Sequence, residues 1–307
     1  MKITNKHLLI IVFLFLNCLN APRDNRYDPQ NPHKAEIIGT VYEPDSATIT
    51  GAILQLYDDN NQIVQVDTSD TQGEFVFLNI NPGVYKITGQ TKYYSKVEIE
   101  AESLWAGTVL DSYNILFTTF HFEDDLPNEM PYGFYRISGT WRVVSDSSAN
   151  HSIPNVYNGC NTDAGDWAIT FFRSPSQALE FSLKMKVLSS SGNDWETGIL
   201  LWYQDRRNYY FIRIRQGYST YGVMKDSVET IFYTKPLDFT TDTWHHLKAK
   251  RCGYALPVYI DEFFQFPISL VNLEFSSGYW GLYLLNHQVG FTTSINCDDI
   301  YLRNISF

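Results

Sequence analysis

The sequence predicts an all-β protein built as two successive sandwiches, and three observations carry that expectation. Aromatic residues make up 16% of the 307-residue chain, with 21 Tyr and 20 Phe. Side chains of this kind, with the frequent Thr, Val and Ile beside them, suit pleated, half-buried surfaces. From Ala35 onward, short apolar runs alternating at period two recur between turn residues. Beyond the N-terminus no segment carries the 3.6-residue period of an amphipathic helix.

The overall balance narrows the function classes. Hydrophobic residues make up 44% of the chain, enough for packed cores and against global disorder. The formal charge is −11, with acidic residues scattered rather than in runs. A phosphate-backbone partner needs a basic stripe, so no nucleic-acid partner is expected.

The first residues read as a targeting segment rather than as fold. Lys2, Lys6 and His7 form a basic start, and Leu8 to Leu16 is an unbroken apolar run. That run is far below the roughly 18–20 residues that span a bilayer, so residues 1–17 are expected to be a secretory signal. "LFLNC" resembles a bacterial lipobox, although Phe15 and Asn17 stand where Leu and a small residue are usual. The resemblance implies lipidation of Cys18, with a plain secreted protein as the alternative. Leu19, not Asp, follows the cysteine, which implies sorting to the outer membrane. Membrane contact is then expected through the lipid anchor only, with residues 18–34, rich in Pro and polar residues, as a tether.

Residues 35–116 form the first predicted sandwich. "EIIGTVYE" and "GAILQLYD" alternate at period two, and "IVQVDTSDTQGEFVFLNINPGVYKITG" supplies three more strands. Asp70 and Gly73 bracket a tight connection, and Pro82-Gly83 suits a type II turn with glycine in the left-handed position. Tyr85 and Ile87 are expected on one strand face, with Val84, Lys86 and Thr88 on the other. These phrases resemble the carboxypeptidase-regulatory-like module, a transthyretin-like Greek-key sandwich, which implies a spacer or adhesive scaffold without catalytic residues.

Residues 117–307 carry about twelve short β-runs, the pattern of a two-sheet sandwich or jelly roll. "FHFEDDLP", "SGTWRVVSD", "ALEFSLKMKV", "TGILLWYQDRRNYYFIRI", "TWHHLKAKRCGYALPVYIDEFF", "GYWGLYLLN" and "INCDDIYLRNISF" follow one another. Their succession resembles the concanavalin A-like lectin/glucanase jelly roll, in its laminin-G-like branch. That fold often holds a structural Ca²⁺ between its first and last strands. The matching acids are Glu123, with Asp124 and Asp125, and Asp298, with Asp299; ordinary strand-end acids are the alternative. Glycosidases of the fold carry E-x-D-x-x-E on one strand, and no such run occurs here. Asp194 and Glu196 flank Trp195 in what reads as a loop running into a strand. His245 and His246, adjacent on one strand, are expected on opposite faces. Cys160, Cys252 and Cys297 lack metal-ligand or C-x-x-C spacing and leave one disulfide plus a free thiol, or three buried thiols, open.

The densest chemistry lies in "ILLWYQDRRNYYFIRIR", Ile199 to Arg215. With a turn at Asp205–Asn208, Trp202 is expected opposite Phe211 and Leu200 opposite Arg213. Ile199, Leu201, Tyr203, Tyr210, Ile212 and Ile214 then form the core face. Leu200, Trp202, Gln204, Tyr209, Phe211, Arg213 and Arg215 form the other, which in the resembling fold is the concave, ligand-binding one. Trp202, Tyr209, Phe211, Arg213 and Arg215 are therefore the expected ligand-binding residues, since aromatics stack on sugar rings and Arg bonds hydroxyls or carboxylates. The plainer reading is a face stabilised by its own stacking and cation–π pairs. Trp167 and Trp195 are weaker loop-side candidates, while Trp141, Trp244 and Trp280 are expected in the core.

The expected function is an envelope-anchored, non-catalytic binding protein whose second module holds a glycan or polysaccharide, or serves adhesion. A glycoside hydrolase of the same fold and a structural component of a cell-surface assembly are the alternatives. Two carboxylates facing across a groove would favour hydrolysis, an open aromatic groove binding, and a face filled by its own side chains a structural role.

Overall fold

The computed structural model describes residues 24–175, 179–191, 194–271, 273–275 and 277–304. The predicted signal and the lipidation candidate Cys18 lie outside the described residues. The chain is all-β and divides into two compact units. The first comprises residues up to Val41, Thr48–Gly89 and Val97–Ile115; the second comprises Tyr42–Ala47, Gln90–Lys96 and Leu116 onward. Among the described residues no helix is long and apolar enough to cross a membrane.

Among the described residues the first unit has seven strands: β1 Ala35–Tyr42, β2 Ile53–Tyr57, β3 Ile63–Thr68, β4 Glu74–Ile80, β5 Gly83–Gln90, β6 Val97–Leu104 and β7 Val109–Leu116. They form a three-stranded sheet, β4-β1-β7, and a four-stranded sheet, β3-β2-β5-β6, with Greek-key crossings between them. Ile37, Leu54, Leu56, Phe75, Phe77 and Ile87 fill its core. The β3–β4 turn follows its chemistry: Asp70 accepts the Gln72 and Glu74 amides at 2.8 and 2.9 Å, and Gly73 sits at φ 77°. Only glycine fits there, because a Cβ would meet Thr48 at 2.8 Å and the Val41 carbonyl at 2.9 Å. The type II turn at Pro82-Gly83 does not form. Gly83 begins β5 outside the left-handed region, and its missing Cβ leaves room for the Tyr85 ring instead. The end of the expected tether is also held: the Ala106 amide donates to the Arg26 carbonyl at 2.9 Å, and the Arg26 guanidinium covers Trp105 at 4.4 Å.

The second unit contributes fifteen strands among the described residues: β8 Thr119–Phe120, β9 Phe134–Ser138, β10 Thr140–Ser145, β11 Asn155–Asn161, β12 Trp167–Phe172, β13 Leu179–Val187, β14 Trp195–Asp205, β15 Asn208–Arg215, β16 Gly217–Lys225, β17 Val228–Leu237, β18 His245–Ala249, β19 Ala255–Ile260, β20 Phe263–Ser269, β21 Tyr279–Asn286 and β22 Thr293–Asn304. One sheet runs β10-β11-β22-β13-β18-β19-β20 with β8 on β22; the other runs β17-β16-β15-β14-β21-β12-β9. They face each other as a jelly-roll sandwich. Inner residues meet across the core in pairs such as Phe181 with Trp280 at 6.2 Å and Tyr157 with Thr170 through a 2.6 Å hydroxyl bond. Trp141 and Trp280 are core residues, as expected, and Trp195 joins them against Phe239. Trp244 is not in the core. It lies half-buried on the outer side of the eight-stranded sheet, with the Lys186 ammonium 4.7 Å over its ring. Cys160, Cys252 and Cys297 are free thiols, and of the three only Cys297 is fully buried.

Candidate functional site

Four of the five predicted ligand residues, Tyr209, Phe211, Arg213 and Arg215, fall on the outward face of the seven-stranded sheet, but not in the predicted register. β14 and β15 pair Glu196 with Arg215, Gly198 with Arg213 and Leu200 with Phe211, and the register then shifts between Leu201 and Asp205. Leu200 therefore opposes Phe211 rather than Arg213, and Trp202 does not oppose Phe211. Trp202 itself adopts φ 49°, a conformation unusual for an aromatic side chain. The bulge is braced from β21's approach: Gly278 lies so close that a Cβ there would stand 2.6 Å from the Trp202 carbonyl oxygen.

The bulge reverses the side-chain alternation just where the prediction needed it. Trp202 turns away from the outward face, is 4% exposed, and meets Tyr210 edge-on at 5.4 Å. Tyr203 takes its place, 4.4 Å from Phe171 and 5.8 Å from Tyr209. Trp202 thus leaves the predicted outward face, and Tyr203, assigned to the core by strict alternation, occupies it. Phe211 is on the predicted face but only 1% exposed, packed with Ile169, Phe171, Leu200, Tyr209 and Tyr283. It supports the surface from beneath.

Arg213 and Arg215 lie on the predicted face with their charges already balanced. Glu196 is their common partner: Arg213 Nε reaches Oε1 at 3.1 Å, Arg215 Nε reaches Oε2 at 2.7 Å, and the Tyr283 hydroxyl donates to Oε1 at 3.0 Å. The other end of Arg213 clasps Glu229 through two bonds of 3.1 and 2.6 Å. Burial alone would lower the Arg213 pKa, but Glu229, Tyr283 and Glu196 together hold it above its ordinary value. The hydrogen bond from Arg213 holds the Glu229 carboxyl below the usual glutamate range. A carboxylate so held is a poor proton donor, and Glu196, 1% exposed and bound on both oxygens, is closed to a nucleophile's role. Sequence reasoning missed Glu196 as a site residue. Its signal was cross-strand charge pairing with Arg215, visible only once the bulge sets the register.

Beside this network the face opens into a cavity of about 320 Å³. Trp167, Tyr203 and Tyr209 wall it with rings, Met224 and Ile169 add apolar floor, and Asp166 and Arg206 stand at its edge. Trp167 is held by stacking on Tyr283 at 4.8 Å with planes 20° apart, and by Tyr209 edge-on at 5.7 Å. Its amide donates to Asp166 Oδ1 at 2.8 Å, and the same oxygen lies 3.2 Å from Arg206. Both members of that ion pair are more than half exposed, so their remaining hydrogen-bonding capacity faces solvent. Flat rings beside a polar pair that both donates and accepts suit a molecule with an apolar face and a rim of hydroxyls. Of the five predicted ligand residues, only Tyr209 lines this cavity.

The predicted calcium ligands are not brought together. Among the described residues no three His, Cys, Asp or Glu side chains converge in a group able to hold a metal ion. Glu123 pairs with His121 at 2.5 Å. Asp298 is fully buried and receives His151 Nδ1 at 3.0 Å, the Ser152 hydroxyl at 2.9 Å and the Asp299 amide at 2.8 Å. These donors occupy its oxygens within the protein, and the residues present do not fit a Ca²⁺ site, which needs six to eight converging oxygens.

No protein-family model matches the chain, and no curated protein matches it. Solved structures similar to it include the carbohydrate binding module CBM66 from Bacillus subtilis, at 12% identity and a TM-score of 0.42, over 56% of this chain and 96% of that one. A Bacillus licheniformis beta-glucanase matches at 8% identity and a TM-score of 0.41, over 58% of this chain and 95% of that one. A Bacteroides ovatus mixed linkage glucan PUL GH16, in complex with product, matches at 6% identity and a TM-score of 0.39, over 53% of this chain and 84% of that one.

Proposed function

We propose that the second unit is a non-catalytic glycan-binding module whose ligand seats in the Trp167–Tyr203–Tyr209 cavity. The observation that carries this reading is the cavity's composition: three aromatic rings around an accessible Asp166–Arg206 pair. A sugar ring presents an apolar face for Trp167 and hydroxyls for the carboxylate and guanidinium, and its volume suits a site of about 320 Å³. Hydrolysis is disfavoured because the buried Glu196 and the bidentate Glu229 are spent on the arginines. The first unit serves in this reading as a carboxypeptidase-regulatory-like spacer, and Cys18 as the lipid attachment that retains the protein at the outer membrane.

The test is a glycan array probed with wild type, Trp167→Ala and Asp166→Ala. The reading requires wild type to bind a defined set of glycans and both substitutions to lose at least tenfold in affinity for them. Wild-type binding unaffected by Trp167→Ala, or no glycan bound at all, overturns it.

A further inference from the structure

A second and larger cavity opens elsewhere in this unit, between β17 and β20, the edge strands of its two sheets. It measures about 690 Å³, against about 320 Å³ for the Trp167 cavity. Ile231, Phe232 and Tyr233 of β17 wall one side; Tyr254, just before β19, and Pro267 and Ser269 of β20 wall the other. Tyr210 and Tyr221 line its depth, 2% and 4% exposed. Tyr221 stacks on Tyr210 at 6.1 Å and on Phe266 of the opposite sheet at 5.6 Å, with planes 17° and 19° apart. These contacts fix the orientation of its ring, and with it the hydroxyl.

The chemistry of the lining selects the occupant. Five of the eleven lining residues carry hydroxyls, four of them tyrosines, and among the described residues none is charged. The Tyr221 hydroxyl has no hydrogen-bond partner among the described residues, although the side chain is almost wholly buried. The Tyr210 hydroxyl accepts the Glu274 amide at 2.8 Å and keeps its own proton to donate. A purely apolar occupant would seal the Tyr221 hydroxyl off unpaired, at a cost of about 1–3 kcal/mol. A charged occupant finds no counter-charge in the lining. An added protein strand is disfavoured at the β17 edge, where Pro236 offers no amide and Lys235 carries a charge. What fits is a neutral molecule with flat apolar faces and a rim of hydroxyls.

We propose that this cleft is a second saccharide site, which takes a neutral sugar chain against Tyr233 and Tyr254 and pairs its hydroxyls with Tyr221 and Tyr210. Tyr254, 73% exposed, presents a ring at the rim on which a sugar face can stack. Tyrosine hydroxyls both donate and accept, as sugar hydroxyls do, so each can be paired whichever way the sugar presents its own. The cleft's polar groups are neutral, whereas the Trp167 cavity offers the Asp166–Arg206 ion pair. Bonds to charged groups are the stronger, so the cleft is expected to be the weaker of the two sites. It does not require the Trp167 cavity to bind.

The experiment is isothermal titration of the full chain and of its Trp167→Ala variant, alongside sedimentation velocity. The probes are cellohexaose, laminarihexaose, xylohexaose, mannohexaose and the acidic hexagalacturonate. With Trp167→Ala in place the cleft is the site that remains, and at least one neutral chain is expected to bind it saturably. Adding Tyr221→Phe, which keeps the ring and removes only the hydroxyl, is expected to weaken that chain about fivefold. Adding Tyr254→Ala removes the exposed ring and is expected to weaken it by about as much. Hexagalacturonate is expected to bind about tenfold more weakly than the neutral chain. No neutral chain bound by Trp167→Ala, or binding unchanged by both tyrosine substitutions, overturns the site. Hexagalacturonate bound as tightly overturns the neutral assignment. A wild-type dimer that Tyr254→Glu dissociates makes the cleft a self-association surface and overturns the proposal. Binding that Trp167→Ala leaves at the wild-type level and both tyrosine substitutions weaken supports this site and removes the Trp167 cavity instead.

Discussion

Glu196 and Arg213 meet at 3.1 Å on the outward face of the seven-stranded sheet, and this contact changes what the arginines of the hairpin are for. Two guanidiniums, Arg213 and Arg215, converge on one carboxylate that is 1% exposed, and Tyr283 closes it with a hydroxyl at 3.0 Å. Cross-strand pairing of Glu196 with Arg215 makes the arrangement a property of the ladder itself. The arginines order the floor beside the cavity and are not extended toward a ligand.

Removing Glu196 strands buried positive charge. Glu196→Ala leaves Arg213, 14% exposed, without one of its two partners, and leaves the buried Tyr283 hydroxyl without its acceptor. Breaking a buried pair from one side costs about 3–5 kcal/mol, and Glu196→Gln, which keeps an acceptor for Tyr283, is expected to cost less. Urea denaturation of the two variants checks the order. Equal stability of Glu196→Ala and wild type would show the network to be idle.

A buried acid on the last strand predicts an unusual pH slope. Burial, then the neighbouring Asp299 charge, pushes the Asp298 carboxyl up to about 6, above its ordinary 3.8. Between about pH 4 and 6 the folded state keeps a proton that the unfolded state has released. This group's contribution to stability therefore falls as pH rises through that window. Asp298→Asn removes the titration while keeping acceptors for His151 and Ser152. Its stability relative to wild type should climb by up to about 3 kcal/mol from pH 4 to pH 7, at about 1.4 kcal/mol per pKa unit. Denaturation midpoints at the two pH values decide it, and a pH-independent difference contradicts the assignment.

The three thiols predict a reactivity order. Cys252 is exposed, Cys160 half-buried and Cys297 buried, with burial pushing the Cys297 thiol far above its usual range. Only the thiolate reacts, so iodoacetamide should modify Cys252 first, Cys160 slowly, and Cys297 only after unfolding. Peptide mapping by mass spectrometry reads each site separately. Early alkylation of Cys297 in the native protein would be inconsistent with its place in the core.

How much of this was written in the sequence depends on which physical rule set each feature. Period-two runs and turn residues define strands locally, so the two sandwiches and the Asp70–Gly73 turn could be read directly. Ile199, Leu201, Tyr210, Ile212 and Ile214 fell on the core side because alternation holds along a regular ladder. What failed was register at a bulge. The irregularity between Leu201 and Asp205 depends on Gly278, some seventy positions away and on no local signal, and it exchanged Trp202 for Tyr203. Gly83 failed similarly: its sequence context suits a turn, but its use is to make room for Tyr85. The calcium pair failed because acids near strand ends in sequence acquired partners from loops, His121 for Glu123 and His151 for Asp298.

The exchange of Trp202 for neighbours on the outward face separates folding from binding in two tryptophans. Trp202 is 4% exposed and packs against Tyr210, so Trp202→Ala opens a core cavity and should cost about 3–5 kcal/mol. Where that variant remains folded, glycan affinity should stay within about twofold of wild type, because its ring lies off the outward face. Trp167 is half-buried and held by Tyr283 and Tyr209 at the cavity wall. Trp167→Ala should cost less in stability, about 1–2 kcal/mol for the lost ring contacts, while removing the surface on which a sugar would stack. Thermal denaturation and isothermal titration with the best array ligand, run on both variants, measure the two quantities independently. If Trp202→Ala abolishes binding in a folded protein while Trp167→Ala binds normally, the ligand lies on the side of the sheet that the bulge turned inward.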